Sequence, residues 1–272
     1  MLKDITLGQY YPRDSIIHKL DPRVKLLGTL IYIICVFLFH GVIGFLFASF
    51  ILIGLIKLSK VPYQFMLKGV RAIWLLIVIT AAANLFFSNG HVDYVRFHAF
   101  HISDTGVHNA IYYSIRLVYL VIGSSIMTLT TSPNKMTDGL ETGLRVLNRI
   151  HFPIHEMAMM MSIALRFVPI LGEEAEKIKR AQQARGAAFD KGNLLQRAKS
   201  MIPILVPLFV SSFQRAQDLS LAMEARCYKG GEGRTKMYPL SYKKYDKIAY
   251  SILWLVLVVF CILFKYDIPF PF

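Results

Sequence analysis

Charge is what this sequence has least of. Only 18% of its 272 residues are charged and 55% are hydrophobic, where a soluble domain carries about 25% charged residues. From Leu26 to Ile56 there is no Lys, Arg, Asp or Glu at all. That deficit excludes an ordinary water-covered domain and predicts an all-α integral membrane protein. Cysteine is almost missing too. Cys35 and Cys261 lie in apolar runs and Cys227 in a polar stretch, and no pair has metal-site spacing or implies a disulfide framework. Acidic residues number 17 against 31 Lys and Arg, a net charge of +14. The bases fall between the apolar runs, the placement that orients a membrane protein. They speak for a lipid bilayer, not nucleic acid, as the surrounding partner. The one glycine-rich run, "GGEGRTK" (230–236), does not fit G-x-x-x-x-G-K-[ST] and follows no strand. No nucleotide, metal or other cofactor is expected, and no catalytic residue. The polar N-terminal stretch lacks the apolar core of a cleavable signal.

The 31 charge-free residues of 26–56 are too many for one span of about 20 and few for two. Basic residues stand on both sides, Lys3, Arg13, Lys19, Arg23 and Lys25 before and Lys57, Lys60, Lys68 and Arg71 after, so both flanks should be cytoplasmic. A hairpin of two short membrane helices turning at His40-Gly41 meets that requirement. A third span is expected from Ala72 to Phe87, an external loop over 88–106, a fourth span from about Val107 to Thr130 and a fifth from Ile248 to Phe264. The region between the last two spans carries 19 Lys and Arg against 11 Asp and Glu from Ser132 to Lys247. The organisation expected is four spans in 1–131, cytoplasmic or interfacial helices in 132–247, and one span in 248–272. The protein would sit in the cell membrane with its N-terminus inside and its C-terminus outside.

Within 132–247, "HEMAMMMSIALRFVPIL" (155–171) is nearly all apolar yet carries Glu156 and Arg166. It suits a helix lying along the membrane surface, or packed beneath the bundle, better than a sixth span. "GEEAEKIKRAQQARG" (172–186) puts acids early and bases late, as a helix dipole favours. A further helix is expected from around Ile204 to Arg226, kinked near its start by Pro207. These two helices close alike, on Ala184-Arg185-Gly186 and Ala225-Arg226-Cys227, with the arginines 41 residues apart (226 − 185). At the same shift Ala175 matches Ala216 and Ala181 matches Ala222. An arginine at a helix C-terminus can simply cap carbonyls, for about 0.3–1 kcal/mol. The repetition favours a second reading, a pair of prongs that enter acidic pockets of a partner. Arginine suits that role because its charge is permanent and its planar fork meets carboxylates in defined geometry.

Four stretches, taken in order, carry a family resemblance. They are "YYPRDSIIHKLDPRVKLL" near the N-terminus, "ALRFVPILGEEAEKIKRAQQARG", "RAQDLSLAMEARCYKGGEGRT" and the final apolar helix. The chain resembles the transmembrane T component of energy-coupling-factor transporters, prokaryotic uptake systems for vitamins and other micronutrients. The resemblance implies a non-catalytic coupling subunit. Its partners would be two cytoplasmic ABC-type ATPases and a substrate-binding membrane S component, exchanged among several in some systems. In that family two Ala-Arg-Gly motifs end long helices that dock in grooves of the ATPases. By position these are Ala184, Arg185, Gly186 and Ala225, Arg226, Cys227. The second departs from the pattern, because cysteine disfavours the left-handed backbone that glycine offers at a helix end.

Other constellations bear on partners. Arg116 lies inside the fourth apolar span, where a charge costs at least ~2.5 kcal/mol unless paired. It calls for a polar contact, with Asn84 as a candidate neighbour, or a place at the interface with the substrate subunit. Met157, Met159, Met160 and Met161 form a flexible, polarisable cluster of the kind that serves exchangeable partners, and a packed core helix is the plainer reading. His91, His98, His101 and His108 crowd the expected external loop without metal-site geometry. A membrane enzyme would need convergent catalytic groups, which the sequence lacks. The alternative function is a self-contained secondary carrier, which would call for inverted repeats and mid-membrane ionisable groups; only Arg116 offers a charge there.

Overall fold

The computed structural model describes residues 10–39, 41–87, 93–97, 100–144, 153–187, 189, 193–230, 237 and 239–266. They form ten helices and one two-stranded ribbon: α1 (Ile16–Lys19), α2 (Pro22–Leu38), α3 (Val42–Ser59), α4 (Tyr63–Ala72), α5 (Trp74–Phe87), β1 (Asp93–Phe97), β2 (Phe100–Ser103), α6 (Asp104–Thr130), α7 (Pro133–Gly143), α8 (Ile154–Ala184), α9 (Leu194–Ala225) and α10 (Lys244–Tyr266). The chain divides into two compact units, Gly8–Gly139 with Leu240–Phe272, and Met1–Leu7 with Leu140–Pro239.

In the first unit α2 begins where Asp21 accepts from the Arg23 amide at 2.9 Å and Pro22 takes the first helical position, a residue whose missing N–H costs nothing there. The expected hairpin of two helices is present, with α2 ending at Leu38 and α3 starting at Val42. Both pack on α6, the longest helix of this unit. Tyr32, Val36, Ala48 and Leu52 make one buried cluster, and Val61, Met66, Ile126 and Leu129 another. Gly123 of α6 is what lets the Tyr32 ring lie flush, since a Cβ there would overlap it.

α3, α6 and α10 are each long and apolar enough to cross a membrane. α2, with 17 residues, reaches only about 25 Å, short of a ~30 Å hydrocarbon core. The expected third span is the 14-residue α5, which qualifies only together with α4, across a 55° bend. β1 and β2 pair antiparallel, Val95 opposite Ile102 and Phe97 opposite Phe100, with a register shift between Asp93 and Val95. This ribbon is the one departure from an all-α membrane fold among the described residues, and it falls in the expected external loop.

Three cations of this unit go to helix ends. Arg116 is 9% exposed and donates to the Phe39 carbonyl at 2.7 Å. Phe39 is the C-cap of α2, and the Tyr112 hydroxyl donates to the same oxygen and bonds Arg116 as well. Arg116 lies 12 residues into α6 (116 − 104), about 18 Å along its axis. The α2–α3 turn therefore lies partway along α6, where no water would meet a bare carbonyl. Asn84, the expected neighbour, donates instead to Thr80 O at 2.8 Å within its own helix. Lys25 donates to Thr130 O at 2.9 Å and Thr131 Oγ1 at 3.2 Å, where α6 ends. Arg13 donates to the carbonyl of Lys60, the C-cap of α3, at 2.8 Å.

Asp246 fastens two helix starts. Its carboxylate accepts from the Asp21 amide at 2.7 Å and from the Lys243 amide at 2.7 Å. Arg23 grips Asp21 at 2.7 Å and lies over the Tyr242 ring, 3.9 Å from its centre. Burial opposes ionisation of Asp21, and the Arg23 hydrogen bonds outweigh it, holding the carboxyl below its ordinary value.

The second unit contains two long helices, α8 of 31 residues and α9 of 32. The stretches 155–171 and 172–186, read separately from sequence, are a single helix through Pro169, and that helix is also long and apolar enough to cross a membrane. α9 starts ten residues before the expected Ile204, because Gln196 Oε1 accepts from the Asn193 amide at 3.1 Å and sets the first turn there. Pro203 and Pro207 are carried inside it.

Replacing Arg116 by Met removes a charged hydrogen bond from the α2 end. It should lower the unfolding free energy of the detergent-solubilised chain by about 1.5–3 kcal/mol, measured by reversible denaturant titration. A neutral result would mean that Arg116 does not hold the hairpin.

Candidate functional site at two helix ends

α8 and α9 run antiparallel. Glu174 of α8 pairs with Arg215 of α9 at 3.0 Å, and further along α8 Gln182 reaches back to Pro203 O at 3.5 Å. The Glu174–Arg215 pair joins positions 41 apart, the same shift that relates the two arginine motifs. It lies 11 residues before Arg185 and 11 before Arg226 (185 − 174 and 226 − 215). With antiparallel axes and 1.5 Å per residue, the motifs stand roughly 33 Å apart at opposite ends of the pair. An acid in one repeat matched to a base in the other was the signal available in the sequence, and reading only the shared alanines missed it.

The two ends have the same backbone. Arg185 is the C-cap of α8 at φ −83°, ψ 6°, and Arg226 the C-cap of α9 at φ −93°, ψ 17°. The next residue turns left-handed in both, Gly186 at φ 91° and Cys227 at φ 53°. The Gly186 amide bonds Gln183 O at 3.0 Å and the Ala187 amide bonds Gln182 O at 3.0 Å. Correspondingly the Cys227 amide bonds Glu224 O at 2.8 Å and the Tyr228 amide bonds Met223 O at 3.0 Å. This is the double-bonded Schellman ending. Cys227 adopts it despite its side chain, at a conformational cost of about 1–2 kcal/mol.

Because backbone amides take these carbonyls, the arginine side chains do not cap their own helices. Ala184, Arg185, Gly186, Ala225, Arg226 and Cys227 are all exposed, and among the described residues neither guanidinium has a hydrogen bond or ion pair. Such an end offers a permanent cation on a rigid stem with a small residue on each side.

At the other end of α8, Met157, Met160 and Met161 are exposed and Met159 is half-buried. The first three share a face by their i, i+3, i+4 spacing. The methionines are thus not a packed core within this chain. Toward the Arg185 end of the pair, α9 also carries exposed apolar residues at Ile202, Leu205, Val206, Phe209 and Phe213. Arg116 faces inward on Phe39 and Tyr112. His91 and His98 lie outside the described residues, as does the side chain of His101. No cluster of three or more His, Cys, Asp or Glu suited to a metal occurs among the described residues.

Comparison with known proteins covers almost the whole chain. Residues 13–237 match the family model CbiQ, cobalt transport protein. A protein of Clostridium kluyveri described as energy-coupling factor transporter transmembrane protein EcfT is 49% identical over 264 residues, 97% of each chain. One of the same description from Acidaminococcus fermentans is 45% identical over 99% of this chain and 100% of its own. Another from Lactococcus lactis is 42% identical over 91% of this chain and 93% of its own. The resemblance read from four short stretches thus extends from end to end.

The strained turn yields a measurable asymmetry. Cys227→Gly should slow amide exchange at Tyr228 by about fivefold or more and Gly186→Ala should speed it at Ala187 comparably, for about 1 kcal/mol each. Mass spectrometry with fast fragmentation reads both. Equal exchange in wild type and variants would mean that the two turns do not hold these helix ends.

Proposed function

The chain belongs to the CbiQ family and is the transmembrane component of an energy-coupling factor transporter, and on that premise we propose that Arg185 and Arg226 couple it to two cytoplasmic ABC-type ATPase subunits. The observation that carries this reading is the pair of matching helix ends. Each has its carbonyls closed by backbone and its arginine exposed and, among the described residues, unpartnered. A binding group kept free by self-capping is what a groove on another subunit requires. Arginine there brings a charge that survives desolvation and a fork that fits a carboxylate.

In this reading ATP binding draws the two ATPases together and displaces the two ends. The Glu174–Arg215 pair, equidistant from both arginines, keeps α8 and α9 moving as one lever. The lever re-orients a substrate-binding membrane S component, which releases a vitamin or other micronutrient inside the cell. The exposed Met157, Met160 and Met161, with Met159 beside them, suit a surface that accepts more than one such S component. The subunit itself is non-catalytic, and hydrolysis takes place in the ATPases. The region 132–247 would be its cytoplasmic or interfacial part, with 1–131 and 248–272 in the membrane, N-terminus inside and C-terminus outside.

The test is a pull-down in mild detergent of wild type, Arg185→Glu and Arg226→Glu, with co-purified proteins weighed and assayed for ATP hydrolysis. Reversal of a buried charged contact should cost ~2–5 kcal/mol, a loss of at least about thirtyfold in affinity. Each reversal should deplete one of two ATPases. Full retention of both by both variants would remove the arginines from the interface.

A further inference from the structure

The unit built from α2, α3, α6 and α10 contains an apolar groove of about 300 Å³. One wall is α10, through Ile248, Ile252 and Val256, and the other is α2 and α3, through Thr29, Tyr32 and Leu55. α1 closes one end with Ile16, Ile17 and Leu20. α10 is poorly buried along its length, with Phe260 the one buried apolar residue among its described positions. Aliphatic cavities of roughly 150 Å³ already stay dry and take up apolar guests, so water is a poor occupant here. The helices that form the walls include membrane spans, and the apolar molecules around them are acyl chains.

The groove has one charged lining residue, Lys25, at the α1 end. Its ammonium is buried and spends its donors on Thr130 O, Thr131 Oγ1 and His18 O. Among the described residues it touches no carboxylate. The nearby acids are engaged elsewhere, Asp21 with Arg23 and Asp246 with two backbone amides. Lys135 adds a second positive charge nearby. Lys244 stands one helical turn below Ile248 on the groove face of α10 and is exposed. Basic groups grouped at one end of an apolar groove complement a lipid with an anionic headgroup.

We propose that this groove holds one acyl chain of an anionic phospholipid, its headgroup at the Lys25–Lys244 end, filling the seam between α10 and the rest of the unit. The site does not depend on the ATPase contacts and belongs to the membrane part of the chain alone.

The sequence has only two tryptophans, which makes a direct test possible. Trp74→Phe with Trp254→Phe and Ile252→Trp places a single reporter on the groove wall. A Trp74→Phe chain, keeping Trp254, reports from an exposed α10 position that does not line the groove. Each full-length variant is reconstituted in phosphatidylcholine vesicles containing a low, equal fraction of chain-brominated phosphatidylglycerol or chain-brominated phosphatidylcholine. The reporter at 252 should be quenched at least twofold more by the anionic lipid, with no preference at Trp254. Lys244→Gln, which leaves the Lys25 bonds in place, should at least halve the preference. Equal quenching by the two lipids at 252, or the same preference at Trp254, would overturn the proposal, as would a preference untouched by the Lys244 change.

Discussion

A helix that ends within a bilayer leaves carbonyl oxygens that no water reaches, and in this protein a cation from another helix meets the end of α2, where Arg116 of α6 donates to Phe39 O. Lys25 of α2 takes the buried end of α6, and Arg13 takes the end of α3 at the exposed surface. Each bond satisfies an orphan acceptor and sets a positive charge against the negative end of a helix dipole. The arrangement is reciprocal, since α2 and α6 each supply the cation that closes the other. With Asp246 joining the starts of α2 and α10, it explains how helices with small buried clusters hold a definite arrangement.

The two long helices follow the opposite rule. α8 and α9 close their own ends with backbone amides, even where Cys227 must adopt a left-handed turn. The arginines at those caps are therefore spare. The contrast separates structural cations, which are bonded to carbonyls, from Arg185 and Arg226, which are exposed and, among the described residues, unpaired. It also gives the Ala-Arg-small motif a physical meaning: the small residue permits the turn that makes the arginine unnecessary to its own helix.

Much of this was legible in the sequence. The charge-free run of 26–56 and its basic flanks announced a hairpin, and the repeated Ala-Arg triplet marked two helix ends. The partner of Arg116 was not legible, because a carbonyl has no side-chain signature and Phe39 reads as one more apolar residue. Asn84 is a polar side chain in an apolar helix, yet it turns to its own helix. The start of α9 was misplaced because Pro203 and Pro207 argue for a break, and the capping residues Asn193 and Gln196 lie upstream of the apolar run. Pro169 likewise did not divide α8. The strands Asp93–Phe97 and Phe100–Ser103 lie in a loop whose charge carries no strand signal.

The central claim is that these two helix ends are the contacts through which the protein meets its ATPases. Placing a photo-crosslinking residue at Ala184 or Ala225 keeps both arginines and tests it most directly. Irradiation of the assembled transporter should attach each position to an ATPase subunit, in an adduct lost when ATPases are omitted. Adducts confined to lipid, or to a membrane subunit, would contradict the account.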